Sequence, residues 1–214
     1  MYSVKEAFYS LQGEGGQAGR ASVFCRFAGC NLWSGREGHR ATAACRFCDT
    51  DFIGTDGQHG GRFGDAEALA AHLTALWPDQ EGVATPYVVF TGGEPLLQLD
   101  TALIDALHRR GFEVAVETNG TLPAPDGIDW LCVSPKGDNA LAITAGDELK
   151  LVHPQPDAPP ERFARLDFRH FFLQPMDTAP LGRAGTTLTE TVAYCLAHPR
   201  WRLSLQTHKI AGID

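Results

Sequence analysis

Residues 87–117 read YVVFTGGEPLLQLDTALIDALHRRGFEVAVE, and this segment contains one full repeat of a strand–helix–strand pattern. It opens with a short apolar strand, Tyr87–Phe90, passes through a helical pattern at Leu96–Arg110, and closes with a second strand, Phe112–Glu117. Short apolar runs are typical of parallel strands that are buried on both faces. The order therefore predicts a parallel α/β unit at the centre of the chain.

The same alternation continues on both sides of this unit. The further predicted strands are Ser22–Phe27, Asp129–Val133, Glu148–Val152, Phe171–Gln174 and Arg202–Gln206. The further predicted helices are Ala66–Trp77, Pro160–Leu166 and Leu188–His198, the last after a Thr187-x-x-Glu190 capping box. We therefore expect a single α/β domain over residues 1–214, an incomplete TIM-type barrel in which Asn31–Ala44 and Asp51–Phe63 are inserted loops.

The composition favours a small-molecule substrate. Because 26 acidic residues outnumber 18 basic ones, for a net charge of −8, we expect no nucleic-acid partner. The sequence has no basic and apolar leader and no apolar run long enough to span a bilayer, so we expect a cytoplasmic protein with no membrane partner. In a reducing cytosol the six cysteines stay as thiols, which indicates a metal site or catalysis rather than disulfides.

Three of the cysteines form a group with the pattern Cys30-x14-Cys45-x2-Cys48. A structural zinc site is normally closed by four ligands, whereas a [4Fe-4S] cluster on three cysteines leaves one iron open to a small molecule. A zinc-stabilised binding module with Cys25 or His39 as the fourth ligand remains an alternative at this point. Cys25 alternates with apolar strand residues and is expected in the core, as are Cys132 and Cys195.

Polar residues follow the predicted strands at the points where the apolar runs stop. In α/β sheets and barrels the carboxyl ends of the strands carry the ligand site, so these residues are expected to converge on one cavity. Each motif alone is compatible with an ordinary turn. The motifs are Thr91-Gly-Gly-Glu-Pro95, Glu117-Thr-Asn119, Ser134-Pro-Lys136, Gln174-Pro-Met-Asp177 and Gln206-Thr-His208.

The cysteine group and the Gly-Gly-Glu-Pro turn together resemble the radical S-adenosylmethionine superfamily, although its commonest spacing is Cys-x3-Cys-x2-Cys. The longer first interval is matched in one branch, the 7-carboxy-7-deazaguanine synthase family. The segments that resemble this family are Leu11-Gln-Gly-Glu-Gly15, Phe24-Cys-Arg-Phe-Ala-Gly-Cys-Asn-Leu-Trp33, Cys45-Arg-Phe-Cys-Asp-Thr-Asp51, Ser134-Pro-Lys136 and Gln206-Thr-His-Lys209.

The resemblance implies a lyase that converts 6-carboxy-5,6,7,8-tetrahydropterin into 7-carboxy-7-deazaguanine and ammonia, on the way to queuosine and related 7-deazapurines. It implies a [4Fe-4S] cluster on Cys30, Cys45 and Cys48 whose open iron binds S-adenosylmethionine, the source of a 5′-deoxyadenosyl radical. It also implies Mg2+ beside Thr50, a homodimer, and a one-electron donor such as flavodoxin or ferredoxin.

The resemblance further assigns individual residues. The implied cofactor-binding residues are Phe47, Gly93, Glu94, Ser134, Pro135, Lys136, Gln174, Pro175, Met176 and Asp177. The implied substrate-binding residues are Leu11, Gln12, Gly13, Glu14, Arg26, Thr91, His208 and Asp214. For Arg26, a salt bridge to Glu14 or Glu94 is the structural alternative to a substrate carboxylate. The tail Lys209-Ile-Ala-Gly-Ile-Asp214 departs from the family, because no aromatic residue follows the lysine.

Overall fold

A computed structural model describes residues 1–78, 82–181 and 186–213. Within these residues the strands are β1 (Tyr2–Leu11), β2 (Ala21–Phe27), β3 (Gly61–Phe63), β4 (Tyr87–Gly92), β5 (Glu113–Thr118), β6 (Trp130–Val133), β7 (Ala145–His153), β8 (Asp167–Pro175) and β9 (Arg202–Leu203). The α-helices are α1 (Ala66–Leu76), α2 (Thr101–His108), α3 (Leu188–Ala197) and α4 (Thr207–Ala211).

All described strands belong to one sheet in the order β3-β1-β2-β4-β5-β6-β7-β8-β9. The strands from β2 to β9 pair in parallel along this order, while β1 is antiparallel to both β2 and β3. Glu14, just after β1, lies 2.7 Å from Lys150 on β7, although four strands separate β1 from β7 in the sheet. The sheet is therefore curled into an incomplete barrel, which confirms the predicted fold class.

The apolar core lies between the outer face of the barrel and the helices. One buried cluster joins α1 and α2 to β1, β2, β4 and β5, and Cys25 belongs to it with no exposed surface. A second cluster lies around β7 and β8, and Cys195 of α3 packs against its edge. The predicted core positions of Cys25 and Cys195 are confirmed. Cys132 is also buried, but its thiol lies 3.5 Å from the Glu148 carboxylate inside the barrel.

The predicted helix Leu96–Arg110 is wrong at its start. A short 3-10 turn covers Pro95–Leu97, and α2 begins only after Asp100, whose side chain accepts a hydrogen bond from Leu103 N at 3.0 Å. Aspartate at this position caps the first turn of a helix, because its side-chain oxygen accepts a hydrogen bond from a free backbone N–H group. The 3-10 turn and α2 are therefore separate elements.

The capping box before α3 is also wrong. The Thr187 hydroxyl donates to His153 O at 2.5 Å and accepts from Met176 N at 2.8 Å, so it ties α3 to the ends of β7 and β8 instead of capping the helix. The predicted helix Pro160–Leu166 is only a 3-10 turn at Pro160–Arg162.

The sequence patterns missed three elements. β1 mixes polar and apolar residues, and β3 lies within the segment predicted as a loop. The last predicted strand ends at Leu203, and the following residues form the short helix α4. Among the described residues, no helix has the length and apolar character needed to cross a membrane.

Candidate active site

A cavity of about 490 Å3 opens at the carboxyl ends of the parallel strands. Residues from parts of the chain that are distant in sequence line this space together, as the strand-end motifs predict. The predicted site residues that line it are Leu11, Gln12, Gly13, Glu14, Arg26, Cys45, Phe47, Cys48, Thr50, Thr91, Gly93, Ser134, Lys136, Gln174, Pro175, Asp177 and His208.

Several predicted site residues lie behind the cavity wall. Glu94 has no exposed surface, and its carboxylate accepts hydrogen bonds from Thr118 Oγ1 at 2.7 Å, Asn119 N at 2.8 Å and Leu96 N at 3.0 Å. Burial raises the pKa of this carboxyl group. Glu94 thus fixes the ends of β4 and β5, and a contact with a ligand amino group stays a prediction. Pro135 and Met176 are also buried, and Asp214 lies outside the described residues.

Two glycines let β4 pass directly against the cysteine loop. Gly92 has φ of 139°, and a Cβ atom there would lie 2.3 Å from Phe27 O. A Cβ atom at Gly93 would lie 2.1 Å from Gly29 O and 2.7 Å from the Cβ atom of Cys30. Since such distances are far below van der Waals contact, glycine is required at both positions for this close approach.

Cys45 and Cys48 line this end of the cavity, and Cys30 lies behind it against Gly93. Cys45 is buried, Cys30 and Cys48 are half-buried, and burial raises the pKa of the Cys30 and Cys45 thiols. Within the part of the chain that the structure describes, no three His, Cys, Asp or Glu side chains are close enough to hold one metal ion. This geometry does not fit a mononuclear zinc site. A [4Fe-4S] cluster does not need three side chains around one ion, because each thiolate binds a different iron.

The proposed fourth zinc ligands have other environments. Cys25 points into the apolar core with Val23 and Phe27, on the opposite face of β2 from Arg26. His39 is exposed, and its Nδ1 atom lies 2.9 Å from the Ser34 hydroxyl. Neither position supports the zinc alternative.

Arg40 orders the long interval between the first two cysteines. Its guanidinium donates to the carbonyl oxygens of Arg46 and Cys48, both at 2.9 Å, and lies 4.2 Å from the centre of the Trp33 ring. Glu37 pairs with the same guanidinium at 2.8 Å. The inserted residues therefore fold back onto the Cys45–Cys48 turn and hold its backbone. Arg40 is not among the site residues predicted from the sequence.

A buried charge network forms the floor of the cavity. The Lys150 ammonium, 3% exposed, lies 2.7 Å from Glu14 Oε2 and 2.8 Å from Glu117 Oε2. Although burial opposes ionisation, Lys150 and the Gln206 amide hold the pKa of Glu14 at about 2. Lys150 is not among the site residues predicted from the sequence. The available signal was a lysine between two leucines in a predicted strand, since a buried lysine needs an acidic partner.

Arg26 has a different partner from either of the predicted carboxylates. Its Nε atom donates to Glu6 Oε1 at 2.7 Å, so the structural alternative, a salt bridge to Glu14 or Glu94, is wrong. Glu6 is on β1, directly opposite Arg26 in the antiparallel pair. Among the described residues, the Arg26 Nη atoms make no hydrogen bond, and the side chain lines the cavity. The two Nη donors are therefore available to a ligand carboxylate.

The opposite wall carries the residues predicted for the cofactor. The Lys136 ammonium donates to Ser134 Oγ at 2.5 Å and lies 5.9 Å from the centre of the Phe47 ring. Gln174 Nε2 donates to Glu14 Oε1 at 3.1 Å, which links this wall to the floor. Thr50 lines the cavity beside Cys48, so its hydroxyl is positioned at the cysteine loop.

His208 lies on α4 rather than on a strand. Its ring packs so closely on Gly13 that a Cβ atom there would lie 2.1 Å from His208 Nδ1. Thr207 N and Thr207 Oγ1 both donate to Gly13 O at 2.9 Å. The carboxyl-terminal helix and the Gln12–Gly15 loop therefore form one continuous wall.

Comparisons with known proteins support the family resemblance that the sequence motifs indicate. The family model of the radical SAM superfamily matches residues 38–165, beginning after Cys30, within the long cysteine interval. The crystal structure of QueE from Escherichia coli superimposes with a TM-score of 0.63 at 26% identity, and covers 95% of this chain and 93% of that one.

Full-length relatives are more similar in sequence. A 7-carboxy-7-deazaguanine synthase of Bordetella pertussis is 66% identical over 212 residues, and one of Caulobacter vibrioides is 64% identical, each with 99% of both chains covered. The enzyme of that name from Bacteroides thetaiotaomicron is 42% identical over 213 residues. The similarity thus extends over nearly the whole chain in sequence and in fold.

Proposed function

The chain belongs to the 7-carboxy-7-deazaguanine synthase family of the radical SAM superfamily, and from this we propose that it converts 6-carboxy-5,6,7,8-tetrahydropterin into 7-carboxy-7-deazaguanine and ammonia. The observation that carries the proposal is the single cavity in which the cysteine loop faces both an acidic floor and the free Nη atoms of Arg26. A pterin carboxylate and a pterin N–H edge match these two features.

Membership of the superfamily implies a [4Fe-4S] cluster and S-adenosylmethionine. When bound at the open iron, S-adenosylmethionine supplies radical chemistry that side chains alone do not provide. Cys30, Cys45 and Cys48 would hold the cluster, and the Gly93 backbone lies against the first of them. Lys136, Ser134 and Phe47 form the wall along which the rest of the cofactor would lie.

The substrate is oriented by charge at two ends. Within the described chain the Arg26 Nη atoms donate to no protein partner, so the guanidinium is suited to bidentate binding of the pterin carboxylate. Glu14 has about four acceptor sites, of which Gln174, Gln206 and Lys150 occupy three. One site therefore remains for a pterin N–H, and the low pKa of Glu14 keeps the carboxylate ionised.

The proposal is tested by anaerobic incubation of the reconstituted, dithionite-reduced protein with S-adenosylmethionine and the carboxytetrahydropterin. We expect formation of 7-carboxy-7-deazaguanine, detected by ultraviolet absorbance and mass. Formation of 5′-deoxyadenosine without the deazaguanine would refute the substrate assignment while leaving the superfamily assignment intact.

We also propose that Mg2+ binds at Thr50, whose hydroxyl is a hard oxygen ligand beside the cysteine loop, with substrate oxygens and water as its other ligands. Replacing Thr50 by valine keeps the shape of the side chain and removes the oxygen. We expect the Mg2+ concentration for half-maximal activity to rise about tenfold, because one ligand is lost. An unchanged Mg2+ dependence in the Thr50→Val protein, measured after removal of divalent ions, would refute this site.

The remaining properties are proposed from the family. We propose one catalytic domain over residues 1–214, a homodimer, a cytoplasmic location, and a one-electron donor such as flavodoxin or ferredoxin. The small-molecule substrate agrees with the acidic net charge of −8, which does not favour a nucleic-acid partner.

A further inference from the structure

The carboxyl-terminal residues Gln206–Ile213 form a segment, here called the latch, that crosses one side of the cavity. Gln206 Nε2 donates to Glu14 Oε1 at 2.9 Å, and Thr207 is held on Gly13 O by two hydrogen bonds. The latch is thus fixed to the substrate loop at its beginning. Among the described latch residues, only Lys209 forms ion pairs, and its partners lie in the cysteine loop and in the turn after β8.

Lys209 joins two regions that come from distant parts of the chain. Its ammonium lies 2.8 Å from Asp49 Oδ2 and 2.9 Å from Asp177 Oδ2. Asp49 follows Cys48 in the cysteine loop, whereas Asp177 ends the turn after β8. All three side chains line the cavity. One cation therefore links the cysteine loop, the turn after β8 and the latch.

The chemistry of the three groups makes this link specific. Without a cation between them, the two carboxylates would repel each other across the rim of the cavity. A lysine ammonium is a compact charge with three donors, so it can serve two carboxylates at once. The side chain of Lys209 is 40% exposed, and such pairs contribute little to overall folding. Their loss is expected to open the latch and leave the barrel intact.

We propose that Lys209 is a positioning residue that closes the latch over the loaded cavity and holds the cysteine loop at a fixed position relative to the cofactor turn. The inference rests on the proposed function. A closed latch excludes water from the cavity and keeps the substrate against the cofactor, which favours productive turnover over cofactor cleavage without product.

The test compares Lys209→Met with Lys209→Arg, which keeps the charge, and with Arg110→Gln. The last removes an ion pair of similar type, 2.7 Å from Arg110 to Glu67, between the turn after α2 and helix α1. The first readout is hydrogen exchange of the latch peptide in the cluster-loaded protein without substrate. We expect exchange about three to ten times faster in Lys209→Met, with Lys209→Arg near wild type and Arg110→Gln unchanged.

The second readout is the ratio of 5′-deoxyadenosine to deazaguanine with dithionite as the electron source. Each unproductive event uses one electron to break the carbon–sulfur bond of S-adenosylmethionine, releases methionine, and takes a hydrogen atom from the buffer instead of the substrate. We expect this ratio and the KM for the pterin to rise about three- to tenfold in Lys209→Met. Raising the salt concentration should move wild type toward the variant, because the pairs are partly exposed.

The proposal is overturned if Lys209→Met leaves both latch exchange and the product ratio at wild-type values, or if Arg110→Gln changes them equally. Failure of the proposed function would differ, because wild type itself would then form no deazaguanine while the exchange measurement would remain informative.

Discussion

A protein in which Cys30, Cys45 and Cys48 are all replaced by alanine is expected to retain no iron and to form neither 5′-deoxyadenosine nor deazaguanine. Cys45 and Cys48 line one end of the cavity, Cys30 interacts electrostatically with both thiols, and these three cysteines are the proposed ligands of the cluster. Iron and sulfide analysis after anaerobic reconstitution, followed by product detection, measures the effect. Wild type should bind four irons per chain.

The matched control is Cys195→Ala, since this thiol packs at the edge of the second core cluster, away from the cavity. It should keep its cluster and its activity. Normal product formation by the triple variant would contradict the cluster assignment, and one zinc per chain in wild type would revive the binding-module alternative.

Replacing Lys150 by methionine is expected to lower the free energy of unfolding by about 3–5 kcal/mol and to abolish turnover. The change leaves Glu14 and Glu117 facing each other in the barrel without the ammonium that now lies within 2.8 Å of both. Glu14 then loses both its position and its charge at the substrate wall. Urea unfolding of the cluster-loaded protein, kept anaerobic, gives the stability change.

The pH dependence distinguishes this charge effect from a packing defect. The pKa of Glu14 is about 2 in the folded protein against 4.5 ordinarily, so its stabilising contribution is present above pH 4.5 and is lost as the pH falls toward 2. In Lys150→Met, burial instead raises the pKa of Glu14. The free energy of unfolding of the variant should therefore be closer to that of wild type at pH 5.5 than at pH 7.5. A deficit that is the same at both pH values would contradict the electrostatic explanation.

A double variant separates the stability cost of an unpaired carboxylate from the loss of activity. Lys150→Met combined with Glu14→Gln removes one unpaired carboxylate, so it should recover part of the lost stability while remaining inactive. No recovery would mean that the cost lies in side-chain packing alone.

Local features of the sequence were sufficient for the fold class and for the outline of the site. The apolar runs and the residues that follow them predicted parallel strands whose carboxyl ends share a cavity, and β4 with Gly93 and β8 with Asp177 lie where this pattern places them. The three-cysteine loop can also be identified from the sequence, because all three cysteines lie within 19 consecutive residues, from Cys30 to Cys48.

Local signals also misplaced some boundaries. Asp100 begins α2 later than the apolar periodicity indicates, because its side chain satisfies a free backbone donor. Thr187 occurs in a capping pattern, yet its hydroxyl bonds to His153 and Met176 instead. The Thr187 hydroxyl therefore bonds to residues that are distant in sequence instead of to the first turn of α3.

The partners of the charged residues were decided only by tertiary structure. Arg26 pairs with Glu6 because β1 runs antiparallel beside β2, and Lys150 meets Glu14 because the sheet curls until β1 faces β7. Lys209 likewise reaches Asp49, 160 residues away in sequence. Residue spacing specifies which side chains follow each strand, whereas the curvature of the sheet specifies which of them are within hydrogen-bonding distance. The first is encoded locally, and the second arises only when the whole barrel packs around its core.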